Sequence, residues 1–226
     1  MTYTFTKADI NEAVPLVQRL MTNLATTIAD KGLSGSTART AIGDVMTNAP
    51  LLIGSGLIGP RIDTCFDLCR QANATLPQFE DVRRDLAAEA PYTLGAQLIR
   101  DYSTQIALAH EGKIISTMTF KSRQDVDALI LALQQPFGDA EELAADTMDA
   151  MVYRGLVELH AAIVNYLTTT GQRLPMMVDY VFAAPLPTLV ISQRLYYDAS
   201  RYDEIRNENK VVHPAFCPPS GQALSF

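Results

Sequence analysis

Apolar side chains recur along most of this chain at three- and four-residue intervals, the spacing that lines one face of an α-helix. Val14, Val17, Met21, Leu24 and Ile28 form the first stripe; Asp9 stands where it can cap it, Pro15 either kinks it or marks its first turn, and Gly32 ends it. Ser34-Gly-Ser36 reads as a loop, and residues 37–48 as a shorter helix that stops at Pro50. A helix opened by Pro60 carries Ile62, Cys65, Phe66 and Cys69 on one face, and one opened by Pro77 carries Phe79, Val82 and Leu86. Leu94 begins a long helix with Leu98, Ile99, Tyr102 and Ile106 on its face. It either continues across Gly112 to about Met118, the favoured reading, or yields to a short strand over residues 114–120, where β-branched side chains are dense.

Ser122-Arg-Gln-Asp125 has the form of a capping box and predicts a helix through Val126, Leu129, Ile130 and Leu133, ending at Gln135-Pro-Phe-Gly138. Asp139-Ala-Glu-Glu142 predicts the next start in the same way. Met148, Val152, Leu156, Leu159, Ile163 and Leu167 give that helix the most regular apolar stripe in the chain, so a central core helix is expected there. The polar segment 168–175, with Gly171 and a closing Pro175, marks a boundary. Beyond it the pattern changes. Residues 176–182 read as a strand, Pro187 opens a short helix bearing Leu189, Val190, Leu195 and Tyr196, and Asp198-Ala-Ser200 breaks it. A second short helix over 201–209 puts Tyr202, Ile205 and the stem of Arg206 on one face; His213-Pro214 ends it, and a strand over 223–226 follows Gly221. The fold class is therefore mainly α: a helical body over residues 1–170 and a small β-α-α-β module over 171–226.

Composition narrows the function classes. With 226 residues, 48% hydrophobic and 19% charged, the chain can bury a substantial core without disulfides or metal. A net charge of -7 opposes a broad phosphate-binding surface, since duplex affinity comes mostly from Lys and Arg displacing counterions. Arg83 and Arg84, and Arg194, Arg201 and Arg206, are the nearest to a basic patch, and read as solvated helical faces. No secretory leader is legible at the N-terminus and no run approaches the ~20 apolar residues needed to span a bilayer, so a cytoplasmic origin is expected.

Four features invite chemistry, and each has a plainer explanation. Gly54-Ser-Gly56-Leu-Ile-Gly59 fits the dinucleotide-loop spacing, with Glu80 and Asp81 about twenty residues on, but its flanks are helical and no βαβ alternation follows; it reads as a helix-to-helix connector. Cys65 and Cys69, one turn apart, lack nearby Cys or His partners and read as buried small apolar residues, with reduced thiols there and at Cys217. Asp139, Glu141, Glu142, Asp146 and Asp149 cluster where the predicted core helix has its positive N-terminus, a placement that needs no metal. His110, His160 and His213 show no mutual spacing and read as structural. No cofactor, metal or catalytic group is expected.

The stretch Arg194-Leu-Tyr-Tyr-Asp-Ala-Ser-Arg-Tyr-Asp-Glu-Ile205, with Asn209, Pro214 and Gly221-Gln-Ala-Leu224, resembles the LysM-like modules of phage tail proteins. Tyr196, Asp198, Arg201, Tyr202, Ile205, Asn209, His213 and Phe216 match that pattern, and the resemblance implies that they shape a docking surface or the module's core. Two departures stand out: Tyr197 replaces the glycine usual before the aspartate, and no clear closing proline follows, so the peptidoglycan binding of other LysM modules is not carried over. Taken with Cys65-Phe-Asp-Leu-Cys-Arg-Gln71, Thr119-Phe-Lys-Ser-Arg-Gln-Asp125 and Asn209-Lys-Val-Val-His-Pro-Ala-Phe216, the chain resembles the C-terminal region of the DNA circulation proteins of Mu-like phages and prophages; the N-terminal domain that gives that family its name has no counterpart here. The resemblance implies a non-enzymatic tail component, baseplate- or hub-associated, made in the host cytoplasm and carried in the virion. Its implied partners are other tail proteins and further copies of itself. Two alternatives accompany it: a peptidoglycan-binding module, and a protein that binds DNA ends after injection.

Overall fold

The computed structural model describes residues 3–147 and 149–225 and is mainly α, with one small sheet. It divides into two compact units, Met1–Met118 with Gln134–Ile163, and Thr119–Leu133 with Val164–Phe226.

In the first unit, α1 (Lys7–Thr26) starts at a reciprocal capping box. Asp9 is its third helical residue rather than its cap: the Asp9 N–H donates to Thr6 Oγ1 (3.2 Å) and the Asp9 carboxylate accepts from the Thr6 N–H (2.8 Å). Pro15 lies inside the helix with its ring in solvent. The next helix, α2, is longer than its sequence suggests and runs Leu33–Gly54, taking in the expected loop at Ser34 and the expected stop at Pro50. Its start is set by Asp30, whose carboxylate accepts the N–H groups of Gly32 and Gly35 at 2.9 Å each. Its extension past Pro50 buries Leu52 and Ile53, which offsets the lost backbone bond. The connector at Gly54-Ser-Gly56 follows directly, with Gly56 at φ 71°, and leads into α3 (Ile58–Gln71). Thr75 and Gln78 box the start of α4 (Leu76–Ala87). Then α5 (Leu94–Ile115) crosses Gly112 as expected and ends at Ser116; no strand forms over residues 114–120. Phe66 and Phe79 form an edge-to-face pair, centroids 5.2 Å apart, and are fully buried, as are Met21, Leu24, Ile62 and Leu108 of the same unit.

The expected helix end at Gln135-Pro-Phe-Gly138 does not occur: α6 runs unbroken over Arg123–Asp146. Val126, Leu133, Phe137, Ala140 and Ala144 are all buried and continue one stripe across Pro136, while the carbonyl that Pro136 leaves unpaired belongs to exposed Ala132, where water can satisfy it. Instead α6 ends at Asp146, and Asp149 Oδ1 accepts the Val152 N–H (3.1 Å) at the start of α7 (Ala150–Gly171). Met148, expected on the apolar stripe, lies outside the described residues. This shift corrects the reading of the acidic cluster: Asp139, Glu141, Glu142 and Asp146 occupy the C-terminal half of α6, not a positive helix start, and Asp149 alone caps one.

In the second unit the order is β1 (Met177–Val181), α8 (Thr188–Tyr196), a 3-10 turn (Ala199–Arg201), α9 (Tyr202–Glu208) and β2 (Ser220–Leu224). The strands pair antiparallel, Met177 opposite Leu224 and Val181 opposite Ser220. Strand β2 thus begins earlier than the expected 223–226, and Phe226 lies outside the described residues. Tyr180, Ile191, Tyr196, Ile205, Val211, Cys217 and Ala223 form the module's own core. At the outer edge of β1 the Gln124 side chain of α6 accepts the Met177 N–H (2.8 Å) and donates to the Met177 carbonyl (3.0 Å), bonding the strand as a neighbouring strand would.

Candidate docking surface of the C-terminal module

The pivot of the module is the turn between α8 and α9. Tyr197, where the resembled pattern carries glycine, takes the left-handed conformation that glycine would (φ 55°, ψ 19°), its N–H donating to Gln193 O. Its side chain is 86% exposed. Asp198 then caps the 3-10 turn by accepting the Ser200 N–H (2.8 Å); bonds from Ser200 hold its carboxyl below the usual range. Ser192 Oγ donates to the Asp198 carbonyl and anchors the turn to α8.

Two of the predicted residues, Tyr196 and Arg201, converge on Glu204 behind that turn. The Tyr196 hydroxyl donates to Glu204 Oε1 (2.8 Å), the Arg201 guanidinium lies 3.7 Å from the Tyr196 ring centroid, and Arg201 pairs with Glu204 at 2.9 Å. Burial, then the Glu204 carboxylate, raises the Tyr196 phenol well above its ordinary value, so it remains a donor. Ile205 is fully buried on the same helix and Tyr202 half-buried beside it. Asn209 closes the other end: its amide donates to Ile205 O (2.9 Å) and Gln222 O (2.8 Å), and its oxygen accepts the Gln222 N–H (2.7 Å), joining α9 to β2.

His213 and Phe216 are different. Both are exposed, their rings 5.4 Å apart, on a loop held at several points: the Thr188 N–H donates to Pro214 O, Leu186 and Cys217 exchange backbone bonds, and Phe216 N–H donates to His213 O. With Val212 at 93% and Phe216 at 73% exposure, the loop presents an apolar surface on a fixed backbone. The predicted set therefore separates into a scaffold (Tyr196, Asp198, Arg201, Tyr202, Ile205, Asn209) and a presented pair (His213, Phe216).

Two contributors carry no recognisable sequence signal. Cys217 is buried with its sulfur 3.3 Å from the Tyr180 hydroxyl, closing the core under the presented loop, and a lone cysteine in a chain of three announces no such role. The Gln124 contact to Met177 joins residues 53 positions apart and obeys no local pattern.

The remaining candidates resolve into packing. Gly59 lies under Tyr102, whose ring would stand 2.5 Å from a β-carbon there, so the glycine spacing serves helix contact. Burial pushes the Cys65 and Cys69 thiols up to about 12 and about 11, far from thiolate chemistry. His160 stacks on Phe137 (4.6 Å) with Nδ1 3.1 Å from Glu141. His110 is buried against Phe66, its Nε2 2.9 Å from Asp63, and burial lowers its pKa. Beside it, Glu111 is wholly buried and pairs through Oε1 with Arg83 Nε (2.7 Å), while Oε2 has no hydrogen-bond partner among the described residues; burial pushes its carboxyl up to about 7. Of the basic candidates, Arg84 pairs with Asp81, Arg201 with Glu204 and Arg206 approaches Asp203, while Arg194 lies over Phe182. Among the described residues no group of three or more His, Cys, Asp and Glu side chains could hold a metal, and no helix is long and apolar enough to cross a membrane. Against protein-family models and curated proteins alike, the chain returns no match.

Proposed function

We propose that this chain is a non-enzymatic structural component of a phage or prophage tail, associated with the baseplate or hub, in the manner of the C-terminal region of the DNA circulation proteins. The observation that supports this reading is the C-terminal module itself: a β-α-α-β unit braced by Tyr196, Arg201 and Asn209, in which backbone bonds to Thr188 and Leu186 hold a loop that offers Val212, His213 and Phe216 to a partner. Such a surface suits protein docking, where a few exposed apolar anchors on a rigid frame carry the affinity. The pairing of Arg83, Arg84, Arg201 and Arg206 with neighbouring carboxylates fits a chain that acts beside DNA through other proteins. Its partners in this reading are other tail proteins and further copies of itself, and its destination is the virion.

The test is mass spectrometry of tail particles purified after prophage induction in the bacterium that encodes the chain, with the purified protein run in parallel against sedimented peptidoglycan and labelled duplex DNA. Recovery in particles at fixed stoichiometry, without cosedimentation or duplex binding, is the expected result. Absence from particles overturns the proposal. Cosedimentation would favour the cell-wall alternative, and salt-sensitive duplex binding the DNA-end alternative.

A further inference from the structure

The core side of the helix α7 is supplied by Leu156 and Ile163 within the first unit. Yet its opposite face is open: Met151 is 87% exposed, and Gly155, Ala161 and Ala162 lie bare beside it. That face also bears the only two formal charges of the helix, Arg154 and Glu158, one turn apart and both exposed. Among the described residues neither has an ion-pair or hydrogen-bond partner. Their order, cation before anion along the helix, is the weaker one for pairing within a single helix.

We propose that this face docks against the same face of a second copy, the two α7 helices running antiparallel across a two-fold axis at the level of Leu156. An isologous contact requires self-complementarity, and the charges meet it. At this register Arg154 faces the second copy's Glu158 and Glu158 faces its Arg154, so both charges of each helix are paired. Met151 falls opposite the second copy's Ala161, a large side chain against a small one. Gly155 falls beside the axis. A β-carbon there would meet nothing within 4 Å in one copy, so glycine, among the worst helix formers, has no packing reason within the chain. At the axis it lets the backbones approach. The face deepens the assembly reading above, on which it rests only for the presence of further copies.

Sedimentation velocity of the full chain over a concentration series tests it. One helix pair buries less than the roughly 1,600 Å² of a standard interface, so a dimer with Kd on the order of micromolar is expected. Arg154→Glu alone and Glu158→Arg alone each place like charges across the axis and raise Kd by about tenfold or more. The two together restore the pairing with its sign reversed and return Kd toward the parent value. Both positions are exposed and unpartnered, so circular dichroism melts of all three variants, run at concentrations where the parent is monomeric, should lie within about 2 °C of the parent. A monomer at every concentration, a dimer indifferent to the single reversals, or a double variant no better than the singles would each overturn the proposal. Whether the chain is found in tail particles is measured separately and bears only on the tail reading.

Discussion

A β-carbon placed on Gly221 would stand 2.1 Å from Asn209 Oδ1 and 2.7 Å from the Tyr180 hydroxyl, so the side chain that binds α9 to β2 occupies the space that any other residue at 221 would need. Neither obstacle is a flexible tip: Asn209 holds three hydrogen bonds and Tyr180 is buried against Cys217. Gly221→Ala is expected to destabilise the module by about 2–4 kcal/mol through overpacking and loss of the Asn209 bonds. Asn209→Ala should cost less, roughly 1–3 kcal/mol. Urea melts followed by tyrosine fluorescence would report both, and an unchanged midpoint for Gly221→Ala would contradict that packing.

Tyr197 holds a left-handed conformation with its ring in solvent and no visible compensation for the strain. Tyr197→Gly should therefore raise stability by a few tenths to about 1 kcal/mol, the relief of a left-handed non-glycine residue set against the greater freedom of glycine when unfolded. A fall in the thermal midpoint would mean the ring contributes something beyond backbone geometry.

Glu111 and Asp9 tilt the pH dependence of stability at opposite ends. Glu111 has a folded pKa of about 7 against an ordinary 4.5, so the folded state prefers the protonated acid. Its contribution is complete below pH 4.5 and is lost as pH rises to about 7. Glu111→Gln, which keeps the shape without the charge, should stabilise the protein by about 2–3 kcal/mol at about pH 8 and change little near pH 4. Asp9 runs the other way. Hydrogen bonds from Thr6 hold its pKa at about 2 against 3.8, so its contribution is present above about pH 4 and lost as pH falls toward 2. Thermal melts from about pH 3 to 9 on the parent and on Glu111→Gln would separate the two arms; identical curves above pH 7 would rule out Glu111 as the source of the alkaline loss.

Val212 and Phe216 are expected to matter for docking and not for folding. The double substitution Val212→Ser with Phe216→Ser should leave the thermal midpoint within about 1 °C of the parent, since exposed positions outside special features change stability little. Incorporation into tail particles should fall severalfold. Full incorporation would move the contact elsewhere on the chain.

Much of this architecture is legible in the residues. The β-α-α-β order follows from Pro187, Asp198 and Pro214 acting as start, break and stop, and Ile205, Tyr196 and Asn209 announce themselves by pattern. What misleads is proline inside helices. Pro50 and Pro136 read locally as terminators, because the missing N–H and the clash with the preceding turn are local costs. The gain that outweighs them is tertiary: Leu52 and Ile53 beyond the first, and Phe137 and Ala140 beyond the second, are all buried. The acidic cluster is misread for the same reason, since a helix start moved by about ten residues turns an N-terminal charge set into a C-terminal one. The separation of the eight module residues into scaffold and presented pair has no sequence signal either, because exposure of His213 and Phe216 depends on how their loop is tied to Thr188 and Leu186.

The amide of Gln124 gives β1 a neighbour that is not a strand. In a two-stranded sheet every strand is an edge, and each open edge is a template on which a foreign chain can extend the sheet. By satisfying both outward backbone groups of Met177, one side chain ends the sheet where it would otherwise invite continuation. The chain can thus expose apolar surface on its loop and on α7 while the outer edge of β1 refuses indiscriminate pairing at Met177.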